Sequence, residues 1–295
     1  MSLPAFKSEE SRARFIAAYD AALQDWPVPF EEIDVLTRLG STHVIASGAL
    51  NAPPMLLLSS FAGTAAVWRL NAEGLSRHFR IYAVDVIGQP GKSLAERPLR
   101  NRDYAPWLAD LMDGLGVARA SIVGCSFGAF LALNQALATP QRIERVVLVS
   151  PAGTFASQYW KLTYAMRIRA PLLRQMRRLT GAKRAPSLAD LGPHRLPRDM
   201  KWAALIGVTM AERAKVSVTN PTVFRRAQLR AIRAPTLLLI GDRETLYEPQ
   251  AMLQLAQARM PGLQGAIVPD ADHIAAMAQP DDVNARIVAF LGQAS

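Results

Sequence analysis

Residues 121–138 constrain the fold of this chain more than any other stretch. Ser121-Ile122-Val123 suits a buried strand, and AFLALNQALA from Ala129 suits a helix packed on a sheet. Between them stands Gly124-Cys125-Ser126-Phe127-Gly128, a Gly-x-Ser-x-Gly. A serine at a tight strand-to-helix turn is forced into a strained backbone conformation that lifts its hydroxyl above the sheet. The flanking glycines are required because side chains there would collide with the neighbouring strand and helix. Ser126 then stands at a helix N-terminus, where free N–H groups and the helix dipole favour a developing negative charge. Glycine and serine are common loop residues, so it is the strand before and the helix after that make the pattern specific.

The rest of the chain alternates in the same way. Residues 7–24 read as an amphipathic helix with Phe15, Ile16, Tyr19 and Leu23 at helical spacing. Ile33–Leu39 and Thr42–Ala46 read as strands of a hairpin turning at Leu39-Gly40-Ser41. Apolar runs predict further strands at Met55–Leu58, Arg80–Val86, Val146–Val149, Thr236–Ile240 and Ala266–Val268. Helices are expected from Trp68, and over Tyr104–Leu115, Pro221–Ala231, Pro249–Ala258 and Asp281–Leu291. Strands alternating with helices imply a mostly parallel sheet with helices on both faces. Residues 154–220 break this alternation: Tyr159–Leu179 is basic and helical around Pro171, 181–197 is a proline-rich connection, and Lys201–Lys215 is again helical.

With Gly-x-Ser-x-Gly in this setting, the chain resembles the α/β-hydrolase family over nearly all of its length after residue 30. THVIASG (42–48) and AVDVIGQPGKS (83–93) look like a bacterial carboxylesterase-like branch with a Ser-Glu-His triad. The resemblance implies an α/β-hydrolase core in 31–153 and 221–295. It also implies a helical cap, 154–220, inserted after the sixth strand, with residues 1–30 as an N-terminal helical extension. Trp160, Tyr164, Met166, Trp202 and Met210 are apolar enough to line a cap or to glue it to the core.

A serine hydroxyl needs a base to take its proton, and the base needs an acid to hold its tautomer. In this family the order along the chain is Ser, acid, His. Of His43, His78, His194 and His273, only His273 follows the last predicted strand, so the resemblance makes it the base. The acid expected three residues past the glycine ending the seventh strand is Glu244, counted from Gly241, with Asp242 the alternative. Asp272 reads as a loop residue, and Asp85 and His43 read as structural. The family's oxyanion hole implies the N–H groups of Phe61 and Phe127. Ser59-Ser60 stands where the family usually has His-Gly.

The implied activity is hydrolysis of a small-molecule carboxylic ester through an acyl-enzyme intermediate, with no metal and no organic cofactor. A lactonase, thioesterase, carbon–carbon-bond hydrolase or acyltransferase would use the same residues. A ligand-binding protein without turnover is the alternative of another class. A nucleophilic serine argues against haloalkane dehalogenases and epoxide hydrolases, whose nucleophile is an aspartate.

Composition adds limits. With Cys125 as the single cysteine, an internal disulfide framework and a cysteine-based zinc site are excluded. The first residues, MSLPAFKSEESR, lack the apolar core of a signal peptide, and no apolar run is long enough to span a bilayer, so a cytoplasmic protein is expected. Net charge is +10, but residues 161–233 hold 17 Lys/Arg against 3 Asp/Glu, and the remainder is net −4. A solvated basic surface is the favoured reading; contact with an anionic membrane surface is open but not favoured. No nucleic-acid-binding motif is present, and oligomeric state is not legible.

Overall fold

In a computed structural model of the chain, the structure describes residues 6–157, 200–212, 219 and 221–293. Among them, nine strands form one sheet in the order β1-β2-β4-β3-β6-β7-β8-β9, with β5 beside β2. The strands are β1 Phe30–Thr37, β2 Gly40–Ser47, β3 Pro54–Leu58, β4 Arg80–Val84, β5 Leu94–Ala95, β6 Ala120–Cys125, β7 Ile143–Val149, β8 Thr236–Gly241 and β9 Gln264–Val268. Pairing is antiparallel for β1/β2, β2/β4 and β2/β5. From β4 through β3, β6, β7 and β8 to β9 it is parallel.

The parallel strands read as continuous apolar runs because both faces of the sheet are covered. Alternate residues enter opposite cores. Leu56, Leu58, Ile122, Val146, Leu148, Leu238 and Ile240 belong to one cluster, and Met55, Leu57, Val123, Val147, Val149, Leu237 and Leu239 to the other. The first face is covered by α3 Tyr104–Gly114, α4 Phe127–Ala138, α6 Arg226–Ala231 and α7 Pro249–Arg259. The second is covered by α1 Glu9–Leu23, α2 Arg69–Ser76, α8 Ala275–Ala278 and α9 Pro280–Leu291.

Helix α1 is therefore built into the fold. Ser8 caps it by accepting the Ser11 N–H at 3.1 Å, and Phe15 and Tyr19 are fully buried. Burying side chains of that size is worth about 1.5–3 kcal/mol each. Helix α5, Met200–Glu212, packs on α1 through a two-pronged Arg14–Glu212 pair at 3.0 Å, and a Lys201–Asp25 pair at 2.9 Å joins it to the residues just past the end of α1. The Arg14 guanidinium pulls the Glu212 carboxyl down to about 2. No helix among the described residues is long and apolar enough to cross a membrane.

Several boundaries differ from the sequence expectation. The hairpin turns at Arg38-Leu39, because Thr37 pairs with Gly40. Gly40 has φ 120°, and a Cβ there would lie 2.1 Å from the Leu94 carbonyl oxygen of β5. That two-residue strand was not expected, and with it β7 is the seventh strand observed. The helix expected over Pro221–Ala231 begins only at Arg226. Phe224 N–H donates to the Thr154 carbonyl at 3.1 Å instead of to a helical partner. β7 starts at Ile143, before its apolar run, since Arg145 is buried through a bond to the Gln293 carbonyl and a stack on Phe290. The expected helix Tyr159–Leu179, the 181–197 connection, Trp160, Tyr164, Met166 and the side chain of Trp202 lie outside the described residues.

Candidate active site

The carboxyl ends of β3, β6, β7, β8 and β9 open on one side of the sheet, the usual ligand side of such folds. Four non-glycine residues with positive φ occur among the described residues: Ala62 at 58°, Ser126 at 52°, Ser150 at 44° and Asp270 at 54°. They follow β3, β6, β7 and β9 respectively, so all of this backbone strain gathers at one end of the sheet.

Ser126 follows β6 directly and occupies the N-cap position of α4, with no capping bond from its side chain. The turn is tight enough that a Cβ at Gly124 would lie 2.3 Å from the Gly128 carbonyl oxygen, and one at Gly128 would lie 2.2 Å from that of Leu58. Ser126 N–H donates to the Val149 carbonyl at 2.9 Å, which ties the turn to β7. Phe127 N–H is among the first N–H groups of α4, which have no acceptor within the helix.

His273 lies in the loop after β9 and reaches both partners. Its Nε2 is 2.9 Å from Ser126 Oγ, and its Nδ1 is 2.7 Å from Glu244 Oε2. Glu244 Oε1 accepts the N–H groups of Thr245 at 2.8 Å and Leu246 at 2.9 Å, and the side chain is fully buried. A carboxylate so held makes Nδ1 the protonated ring nitrogen and leaves Nε2 free to accept the serine proton. Asp242 is turned away from this line: it is exposed, and its Oδ1 accepts Ala271 N–H at 3.1 Å, stitching the Glu244 loop to the His273 loop. Asp272 caps its own loop by accepting Ile274 N–H at 2.9 Å. His43 is buried between Asp34 and Glu32, at 2.9 and 3.0 Å. His78 is exposed, and His194 lies outside the described residues.

The loop after β3 is braced from several sides. Gly63 N–H donates to the Ser60 carbonyl at 2.9 Å, closing a turn with Phe61 and Ala62 at its centre. Ser59 Oγ donates to the Gly63 carbonyl at 3.0 Å, so the serine pair itself ties the loop. Ala62 N–H donates to Gln89 Oε1 at 3.0 Å, and Ala65 N–H to Asp85 Oδ1 at 2.7 Å. Asp85 also accepts Lys92 N–H at 2.7 Å. Burial pushes its carboxyl up, against the pull of His43 and these N–H groups. A left-handed alanine costs about 1–2 kcal/mol, so Ala62 needs such support. Half-exposed Phe61 meets Phe127 edge-on at 6.5 Å, and Tyr104 packs on the same Phe127 ring at 5.6 Å.

Two buried groups flank Glu244. Burial and its charge push the Tyr247 hydroxyl well above its usual range, and burial, with a smaller contribution from Glu244, pushes the Cys125 thiol up to about 12. Cys125 is thus a protonated, inert filler beside the serine. A Cys125→Ala protein is expected to keep kcat within a few-fold of wild type while losing about 1 kcal/mol of stability. Parallel turnover assays and thermal melts check this. Loss of turnover in a folded variant would contradict it.

Sequence reasoning did not single out Gln89 or Tyr247. Gln89 sits in a glycine- and proline-rich turn at a strand's carboxyl end, which is the one local signal it offers.

Among proteins of known kind, a family model described as alpha/beta hydrolase fold matches residues 53–280. The chain is 34% identical to carboxylesterase YbfK of Bacillus subtilis (strain 168), over 97% of this chain and 96% of that protein. The crystal structure of carboxylesterase CesB (YbfK) from Bacillus subtilis aligns with a TM-score of 0.84 and 32% identity, covering 97% of this chain and all of that one (100%). Naproxen esterase (carboxylesterase NP) from Bacillus subtilis aligns with a TM-score of 0.83 and 28% identity, covering 96% and 98% of the two chains.

Proposed function

The chain belongs to the α/β-hydrolase family as a carboxylesterase-like enzyme, and from that premise we propose that it hydrolyses small carboxylic esters with Ser126 as nucleophile, His273 as general base and Glu244 as the acid that orients it. The pair of hydrogen bonds at His273, 2.9 Å to Ser126 and 2.7 Å to Glu244, supports this reading most directly. Ser126 Oγ attacks the ester carbonyl as its proton passes to His273 Nε2. The Phe61 and Phe127 N–H groups hold the oxyanion. Collapse breaks the acyl–alkoxy bond, and the alkoxide leaves with the proton from His273. A water then attacks the acyl-enzyme, gives a proton to His273, and frees the carboxylic acid as the proton returns to Ser126.

We also propose that residues 154–220 form a cap over the site. The chain leaves and re-enters the core at one point, for a Cβ on Gly153 would lie 3.1 Å from the Pro221 carbonyl oxygen. That point adjoins the serine, with Ala152 N–H 3.4 Å from the Ser126 carbonyl oxygen. A cap there would set acyl and alcohol preference, which is where lactonase, thioesterase and esterase activities part.

A panel of p-nitrophenyl esters of graded acyl length tests the activity, with Ser126→Ala as control. Wild-type turnover of the shorter esters, absent from the control, is the expected result. Equal rates in the two proteins would overturn the proposal. Adding a carboxylate-bearing ester at low and physiological salt tests the basic surface. Arg225, Arg226, Arg230 and Arg233 are exposed, so screening over about 8 Å should leave the neutral and anionic esters responding alike.

A further inference from the structure

Glu244 and His273 stand in two different loops, one after β8 and one after β9. The two strands end at Gly241 and Val268, and their pairing runs one step further, with Asp242 N–H donating to the Val268 carbonyl at 2.9 Å. The strand ladder stops there, yet the acid and the base must still meet at 2.7 Å.

Ala271 makes the join. It is fully buried, and both of its backbone polar groups go to the residues just before Glu244. Its carbonyl accepts Arg243 N–H at 2.8 Å, and its N–H donates to Asp242 Oδ1 at 3.1 Å. A Cβ at Gly241 would lie 2.2 Å from the Ala271 carbonyl oxygen, so the two backbones are in contact. The first of the two bonds runs from main chain to main chain and is open to any residue at 243. The second depends on a side-chain oxygen at 242. Arg243 also pairs with Asp270, but both side chains are exposed, and such pairs hold little. Beyond Ala271, Asp272 accepts Ile274 N–H at 2.9 Å. His273 is thus held from within its own loop on one side and through Asp242 on the other.

We propose that Asp242 is a positioning residue for ester hydrolysis: by accepting Ala271 N–H it fixes the His273 loop against the Glu244 loop, and it is the oxygen, not the charge, that does so. The inference rests on the triad proposed above. Asp242 acts through the backbone, since the two ring nitrogens of His273 are taken by Ser126 and Glu244. A buried N–H without an acceptor is costly, so a loop deprived of Oδ1 would shift to reach water, and His273 would shift with it. A catalytic group misplaced by about 1 Å loses up to about 100-fold in rate.

The test compares wild type with Asp242→Leu and Asp242→Asn. Leucine keeps the branched shape of aspartate, offers no acceptor and leaves little room for water. Asparagine keeps the oxygen and drops the charge. Each protein is assayed for kcat and KM, and for the proton resonance of His273 Nδ1–H, which a short bond to a carboxylate moves far downfield. Its absence from a His273→Gln protein assigns it. Asp242→Leu should lower kcat by at least about tenfold, with KM changed less than about threefold, and the resonance should move upfield or broaden away. Asp242→Asn should stay within a few-fold of wild type and keep the resonance. A merely structural role would lower the melting temperature and leave kcat and the resonance in place.

An Asp242→Leu protein with wild-type kcat and resonance would overturn the inference and leave the triad standing. So would an Asp242→Asn protein that fails as the leucine variant does, because the charge would then be at work. A wild-type protein that hydrolyses no ester would take both down. Should Asp242→Leu fail to fold, Asp242→Ala is compared with Asp242→Asn on the same criteria.

Discussion

Ser126→Ala is expected to lower kcat for ester hydrolysis by about a million-fold while leaving the fold intact. The figure is the order found when the nucleophile of a serine triad is removed. The oxyanion donors and the bound water activated by His273 would then carry whatever rate remains. The fold should survive because only Oγ is lost. Its partner His273 Nε2 belongs to a ring that is 18% exposed, so water can replace the hydroxyl. The melting temperature should therefore move by only a few degrees. Turnover and thermal melts on the same preparation check both halves. A variant that retains a large share of turnover would place the nucleophile elsewhere.

Glu244→Gln is expected to lower kcat by about 10,000-fold, and Asp242→Asn to change it only a few-fold. Oε1 of Glu244 already takes two backbone N–H groups, so a glutamine oxygen is drawn to that side and its NH2 faces His273. A donor there forces Nδ1 to become the acceptor and puts the proton on Nε2, where it faces Ser126 and cannot be exchanged for the serine's own. Asparagine at 242 keeps an oxygen for the Ala271 N–H and leaves the loop stitched. Steady-state kinetics of the two variants decide it. A large loss at 242 with little at 244 would reverse the assignment.

How far the sequence could be read depended on the range of the interactions involved. Ser126 was legible because strand, turn and helix are contiguous and each has a local signature. His273 was legible from the order of elements along the chain, given the resemblance. The choice between Glu244 and Asp242 stayed open because the two carboxylates are two residues apart in one turn. What separates them is which backbone N–H groups each meets, and one of these belongs to Ala271, in another loop. The periodicity of α1 showed an apolar face but not its destination, and Phe15 and Tyr19 prove to be fully buried in the core. β5 is two residues long and exists through its pairing with Gly40 and Ser41, more than fifty residues earlier. Gln89 was illegible for the same reason, since its partner Ala62 lies 27 residues away and no spacing rule joins them.

Covalent labelling with a fluorophosphonate tests the central claim most directly, since the probe phosphonylates a serine only where a base activates it and an oxyanion can be held. Intact mass and peptide mapping should show a single adduct, on Ser126, that is absent from the Ser126→Ala protein. No adduct on folded wild-type protein, or an adduct mapped to another residue, would contradict the account.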